Sequence, residues 1–331
     1  MDRNSAELNW NEEQWGLVTK TVAQEASRAR VAAGFLPLFG PVESSTVGVP
    51  SLLLSYQQDP SGSYGANGTK QRLCVDSEPN TLLTTISVTL ALRSHEVADP
   101  ELSAALGMFR RAANVIGRVE DALLFHGQTE KGQLPPDGVA HLPPIFDVSG
   151  GRAQPGLASA LTRVPSPSQA GPDKAAAGAS GDVTVNCVVQ AINHLEGHGH
   201  VGPYACVLGH NLFAAVCTPT ASLVLPRDRI LPFLEGPLVR SSSLPGDQGL
   251  VIALGGNPVE IVVGSDISVR FLQMTPEPRY LFRVSERVAL RVKEWSAVAV
   301  LDHRIRTLRV ADDPWAAPAP PVREAGLVAA E

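Results

Sequence analysis

Cysteine is scarce in this 331-residue sequence, and its placement excludes more than its number does. The four residues Cys74, Cys187, Cys206 and Cys217 form no C-x-x-C pair. Such spacing carries neither a disulfide framework nor a zinc ribbon, and reduced thiols in a cytosol are the expectation. Positive charge is in deficit as well: 27 Lys and Arg face 33 Asp and Glu, a formal net charge of −6. Nucleic-acid binders neutralise phosphates with basic residues, so no nucleic-acid partner is expected. No apolar run approaches the roughly 18 residues of a membrane span. The opening MDRNSAELNW is polar and acidic and reads as no secretory signal. A cytoplasmic protein without a membrane partner is expected.

Chemical motifs are missing too. The sequence has no nucleophile elbow, P-loop, H-E-x-x-H, zinc ribbon or Glu-x-x-His pair. No catalytic residue, cofactor-binding residue or metal ligand is assigned, and an enzyme is not expected. One stretch imitates a motif: Gly197, Gly199 and Gly202 fit G-x-G-x-x-G. A phosphate-binding turn follows a strand and opens a helix. Here the helical VTVNCVVQAINHLEGHG comes first and the strand-like YACVLG follows, with Pro203 directly after Gly202. His194, His198 and His200 crowd the same helix end. Neutral imidazoles that close could hold a metal. They also suit the negative end of a helix, and no nearby cysteine or carboxylate pair completes a site.

What is present is a chain of clear elements. Asn11 with Gln14 forms a capping box, and Trp10 with Trp15 a hydrophobic staple. Trp15, Val18, Val22, Ala26, Ala29 and Ala33 recur on one helical face, with Gly34 as its stop. SYQQDPSGSYGANGTK lacks helical period and reads as a long exposed hairpin within 50–73. TLLTTISVTLALR reads as strand. Asp99 as cap and Pro100 at the first helical position open a long helix that Gly127 ends. Residues 128–182 are rich in Pro, Gly, Ser and Ala and read as loops. LVIALG, VEIVVG and ISVRFLQ read as separate strands. RYLFRVSERVALRVK alternates apolar residues with Arg279, Arg283, Arg287, Arg291 and Lys293, a strand with one apolar and one basic face. SAVAVLD closes the sheet.

Six stretches in series carry a family likeness: EEQW, FLPLFGP, EDALLFHG, GHVGPYACVL, VVGSDISV and FRVSERVALRV. Across about residues 8–302 the chain resembles the encapsulin shell proteins of bacteria and archaea, formerly described as linocin-type bacteriocins. They are a branch of the tailed-phage major-capsid (Hong Kong 97 type) group. The resemblance implies an α+β fold with an N-terminal helix, extended loop, spine helix and axial α/β domain. Its implied boundaries are 1–49, 50–75, 76–130, 131–270 with an insertion at 131–182, 271–302, and a tail at 303–331. In this frame the Gly197–Gly202 stretch is the turn returning a helix to a strand.

The resemblance also implies function. The chain would self-assemble into an icosahedral shell with a multiple of sixty subunits, enclosing a cargo enzyme. A peptide at the cargo's C-terminus would dock against Ala29, Val31, Phe35, Leu36, Leu38 and Phe39. Thr218, Pro219, Thr220, Ala221 and Ser222 would form a pore loop. Some family members stack a flavin on a shell tryptophan, but no tryptophan lies between Trp15 and Trp295, so no cofactor is implied here. Lys70 in the extended loop has no evident crosslinking partner. The alternative functions are a phage or prophage capsid protein that packages DNA and an enzyme of the protease kind once ascribed to this group.

Overall fold

The computed structural model describes residues 8–64, 68–77, 80–165, 181–219, 224–277 and 279–302. Asn11 sets the first helix, α1 (Glu12–Ala29), by accepting the Gln14 backbone N–H at 2.8 Å, while the Gln14 side chain accepts the Asn11 N–H at 3.1 Å. Trp10 meets Trp15 edge-on, 5.2 Å between ring centres. α1 stops before the expected Gly34. Arg30 turns extended, and Ala32–Gly34 forms a separate single turn.

Five strands follow: β1 (Leu38–Phe39), β2 (Gly48–Pro50), β3 (Leu53–Tyr64), β4 (Gly68–Asp76) and β5 (Asn80–Leu82). β3 and β4 pair with each other as the expected long hairpin. Next come β6 (Thr84–Arg93), the short α2 (Ser94–Ala98) and the spine helix α3 (Ser103–His126). α3 starts later than Asp99 and Pro100 predict. Leu102 is buried with φ 52°, a left-handed residue that α3 cannot include, and Asp99 instead accepts the Glu101 and Ser103 amides. The far end matches: Gly127 has φ 75°, and a Cβ there would lie 2.0 Å from the Gln154 carbonyl.

The region read as loops contains β7 (Gly127–Gln128), α4 (Pro136–Val139), β8 (Phe146–Gly150), β9 (Gln154–Pro155) and β10 (Arg163–Pro165). β8 pairs with β6, so part of the expected insertion is sheet. Residues 166–180 of that stretch, and the tail from 303, lie outside the described residues. The rest is α5 (Gly181–Gly197), β11 (Tyr204–Leu208), α6 (His210–Cys217), α7 (Pro226–Leu234), β12 (Leu238–Arg240), β13 (Gln248–Ala253), β14 (Val259–Met274), β15 (Arg279–Val292) and β16 (Val298–Asp302). β14 joins the two strands expected at 259–264 and 267–273. It passes Gly264 through register irregularities between Val263 and Ser268.

Two five-stranded sheets organise these elements. The first runs β1-β14-β15-β6-β8 and the second β10-β16-β13-β11-β12. α1 and α3 cover one face of the first sheet. There Phe109 and Phe282 meet edge-on at 5.4 Å, and Trp10 stacks on Phe282 at 4.9 Å. The second sheet is buried on both sides. Val207, Leu250, Ile252, Val298 and Val300 join the α1–α3 core, while Cys206, Val251, Ala299 and Leu301 pack with α5, α6 and α7. That double burial corrects the reading of SAVAVLD. β16 is all but apolar and lies between β10 and β13, rather than closing the sheet of β15.

Candidate functional site

The chain from Ala29 to Phe39 leaves α1, crosses the spine helix and ends as the edge strand of the first sheet. Crossing at close range needs a glycine on α3. A Cβ at Gly117 would lie 3.0 Å from the Ala29 Cβ and 3.2 Å from the Ala26 carbonyl. β1 then runs parallel to β14, Leu38 opposite Ile261 and Phe39 opposite Val262. Pro37 contributes its carbonyl to the Ile261 amide at 2.9 Å.

The six docking candidates separate here. Leu36 is 3% exposed and belongs to the core, so it is corrected out of the surface. Ala29, Val31 and Phe35 are half-buried, and Val31 and Phe35 pack against the core. Leu38 and Phe39 are 60% and 44% exposed. With all of β1's described pairing made to β14, these two large apolar side chains stand at a sheet edge. One face of the Phe39 ring is capped by the Arg291 guanidinium at 4.3 Å. Arg291 is not on the open basic face that alternation predicts. It is buried, ion-paired with Glu260, and donates to the Pro50 carbonyl at 3.3 Å. Lys293 reaches the same Glu260 at 2.9 Å.

Beneath the segment lies a cluster of charge that the sequence reading missed. Asp121 on α3 accepts the Val31 amide at 3.0 and 2.9 Å and the Ala32 amide at 2.9 Å. Arg30 is ion-paired with Glu120 of α3 and Glu286 of β15, and lies 3.6 Å from exposed Asp266. Glu120, Asp121 and Glu286 are all buried. Burial raises the pKa of each. For Glu120 the Glu286 charge adds to that rise and Arg30 opposes it; for Glu286, Arg30 opposes it. For Asp121, the Ala32 and Val31 amides and Arg30 oppose burial, and its pKa still reaches about 7. Burial also works against the Arg30 charge, but Glu286 and Glu120 outweigh it and raise its pKa. One signal was available: Glu286 is in phase with apolar Phe282, Val284 and Val288, as Glu120 is with Ile116 and Leu123.

The other candidates lie elsewhere. Thr218 and Pro219 follow α6, with the Thr218 hydroxyl donating to the Ala214 carbonyl at 2.8 Å; Thr220, Ala221 and Ser222 are outside the described residues. The His194 and His198 rings lie 4.3 Å apart with their planes tilted, while His200 turns away to the Ser296 hydroxyl at 2.9 Å. Gly199, with φ 86°, makes the turn between α5 and β11.

Residues 167–289 match the family model described as encapsulating protein for peroxidase. The chain is 25% identical to the type 1 encapsulin shell protein EncA of Myxococcus xanthus over 313 residues, 90% of this chain and 95% of that one. It is 24% identical to a diheme-cytochrome-encapsulin shell fusion protein of Kuenenia stuttgartiensis, covering 90% of this chain and 75% of that protein. Among solved structures, the virus-like particle of Pyrococcus furiosus aligns at TM-score 0.55 with 13% identity, over 88% of this chain and all of that one. The capsid of Myoviridae phage XM1 aligns at 0.54 with 16% identity, over 82% and 90%. The two structures show the capsid fold, and together with the sequence matches they support an encapsulin-like shell subunit that assembles with copies of itself.

Proposed function

We propose that the shell built from this chain encloses a cargo protein in the cytoplasm, held by a short apolar peptide that docks along Val31–Phe39. The observation that carries the reading is the exposure of Leu38 and Phe39 on an edge strand whose approach is fixed by Asp121 and Arg30. An extended peptide laid beside β1 would gain main-chain hydrogen bonds and apolar contacts together. Two or three buried apolar side chains supply on the order of 3–6 kcal/mol before ordering costs. A multimeric cargo engages several such sites and gains avidity. The subunit itself performs no catalysis in this reading, and the Thr218–Ser222 loop borders an opening of the shell.

The test is co-expression with the protein encoded beside the gene. Wild-type subunits are expected to elute as a megadalton particle, hollow by electron microscopy and carrying that protein. The Leu38→Ser, Phe39→Ser double variant should form shells of the same size that purify empty. Full loading of the variant overturns the docking surface. A small oligomer from the wild-type chain overturns enclosure altogether.

A further inference from the structure

The face of the first sheet opposite α1 and α3 contains a hollow of about 460 Å³. Four strands line it: Thr85 and Ser87 from β6, Asp147 and Ser149 from β8, Arg270 and Leu272 from β14, and Arg283 and Ser285 from β15. Its floor is low because hydroxyl side chains occupy three neighbouring strands. Ser87 stands between Asp147 and Ser285, and Thr85 beside Ser149, in the sheet register. Above this floor, Arg270 and Arg283 are direct cross-strand partners. Like charges placed opposite each other repel. Both are exposed, and neither has an ion-pair partner among the described residues. Asp147 is the only acid lining the hollow, so the two guanidinium groups leave it with net positive charge.

Paired guanidinium forks with hydroxyl donors nearby are a setting for an oxyanion, which accepts several charge-assisted hydrogen bonds at once. We propose that this hollow is an inter-subunit contact: it takes a side-chain carboxylate from a second copy of the chain. The inference rests on the shell reading, which brings many copies into contact. Charge complementarity selects the occupant. The chain as a whole carries a net −6, and Glu12, Glu13, Glu43 and Glu130 are exposed carboxylates that a neighbour can offer. Close packing of acidic copies is repulsive unless a basic face on one meets an acidic edge on the next.

Zero-length carbodiimide coupling tests this, because it joins an amine only to a carboxylate already in contact with it. The Arg283→Lys variant is purified as intact particles, coupled, digested and analysed by mass spectrometry. The expected product is a peptide joining the introduced lysine to a carboxylate of another copy, together with a dimer band on denaturing gels that 1 M salt during coupling reduces several-fold. A lysine joined only to Asp147 of its own chain, or left uncoupled in intact particles, overturns the contact. The Arg270→Glu, Arg283→Glu double variant gives the second measurement. It should remain folded by circular dichroism yet fail to form particles at subunit concentrations where the wild type assembles. Normal particles from it also overturn the proposal. Absence of particles from the wild type counts instead against the shell reading.

Discussion

Replacing Arg30 by Met should destabilise the subunit by about 3–5 kcal/mol, the cost of leaving buried charges without their partner. The side chain is positioned for that role by three elements at once: the end of α1, the spine helix and β15. Among the described residues its guanidinium is the one cation ion-paired with Glu120 and Glu286. Without it those buried carboxyls can avoid an unpaired charge only by binding protons. The loss should therefore deepen as pH rises and shrink in acid. Met keeps most of the aliphatic stem, so lost packing contributes little. Thermal melts of both proteins at one subunit concentration, at pH 5 and pH 8, give the measurement. A destabilisation below about 1 kcal/mol at pH 8 would remove Arg30 from the argument. Hydrogen exchange should show faster opening of residues 31–39 in the variant, because the same cluster fixes their approach.

Much of the frame could be read from local chemistry. The Asn11–Gln14 box, the Trp10–Trp15 staple and the Gly127 stop are short-range devices, and each stands where the sequence puts it. The hairpin of β3 and β4 was legible from turn residues flanked by non-helical sequence. What escaped depends on partners distant in sequence. Leu102 adopts a left-handed backbone while fully buried, and this overrides the helix-start signal of Asp99 and Pro100. β14 reads as two strands because Gly264 and Asp266 interrupt its apolar pattern, yet β15 pairs along its whole length through bulges. β16 has no alternation to read because both faces are covered.

The segment proposed for docking was legible only in part. FLPLFGP announced large apolar residues broken by proline, but which of them face outward is set by pairing with β14. Pairing leaves Leu38 and Phe39 open, while Leu36 is buried. For the charge cluster beneath the segment, the sequence carries only the apolar phase of Glu120 and Glu286; the partner that makes their burial possible, Arg30, comes from far along the chain at the end of α1. Arg291 was misplaced for the same reason: Phe39, Glu260 and Pro50 converge on the second half of β15.

The subunit should lose stability through Asp121 as the pH rises from about 4 to about 7, and Asp121→Asn should remove most of that loss. Unfolded, this carboxyl titrates near its ordinary value of 3.8; folded, it holds its proton up to about pH 7. Between those values the folded chain binds more protons than the unfolded one. Raising the pH through this window therefore weakens the fold, by up to about 1.4 kcal/mol per pH unit. Below the window the contribution is complete, and above it no more is lost. Glu120 and Glu286, also raised, act in the same direction, while Arg30 and the Val31 and Ala32 amides limit the shift at Asp121. From pH 5 to pH 7.5 the Asp121 share comes to roughly 2–3 kcal/mol. Asn at 121 keeps the size and can still accept an amide N–H, but it does not titrate. Denaturation curves of both proteins across that range, at matched subunit concentration, isolate the share as the difference between their slopes. Parallel slopes would mean that Asp121 is charged in the folded subunit throughout. A flatter slope for the variant, with the protection of residues 31–39 relative to intrinsic exchange falling from pH 5 to pH 7.5 in wild type alone, would make the proton on Asp121 part of what holds the 31–39 segment in place.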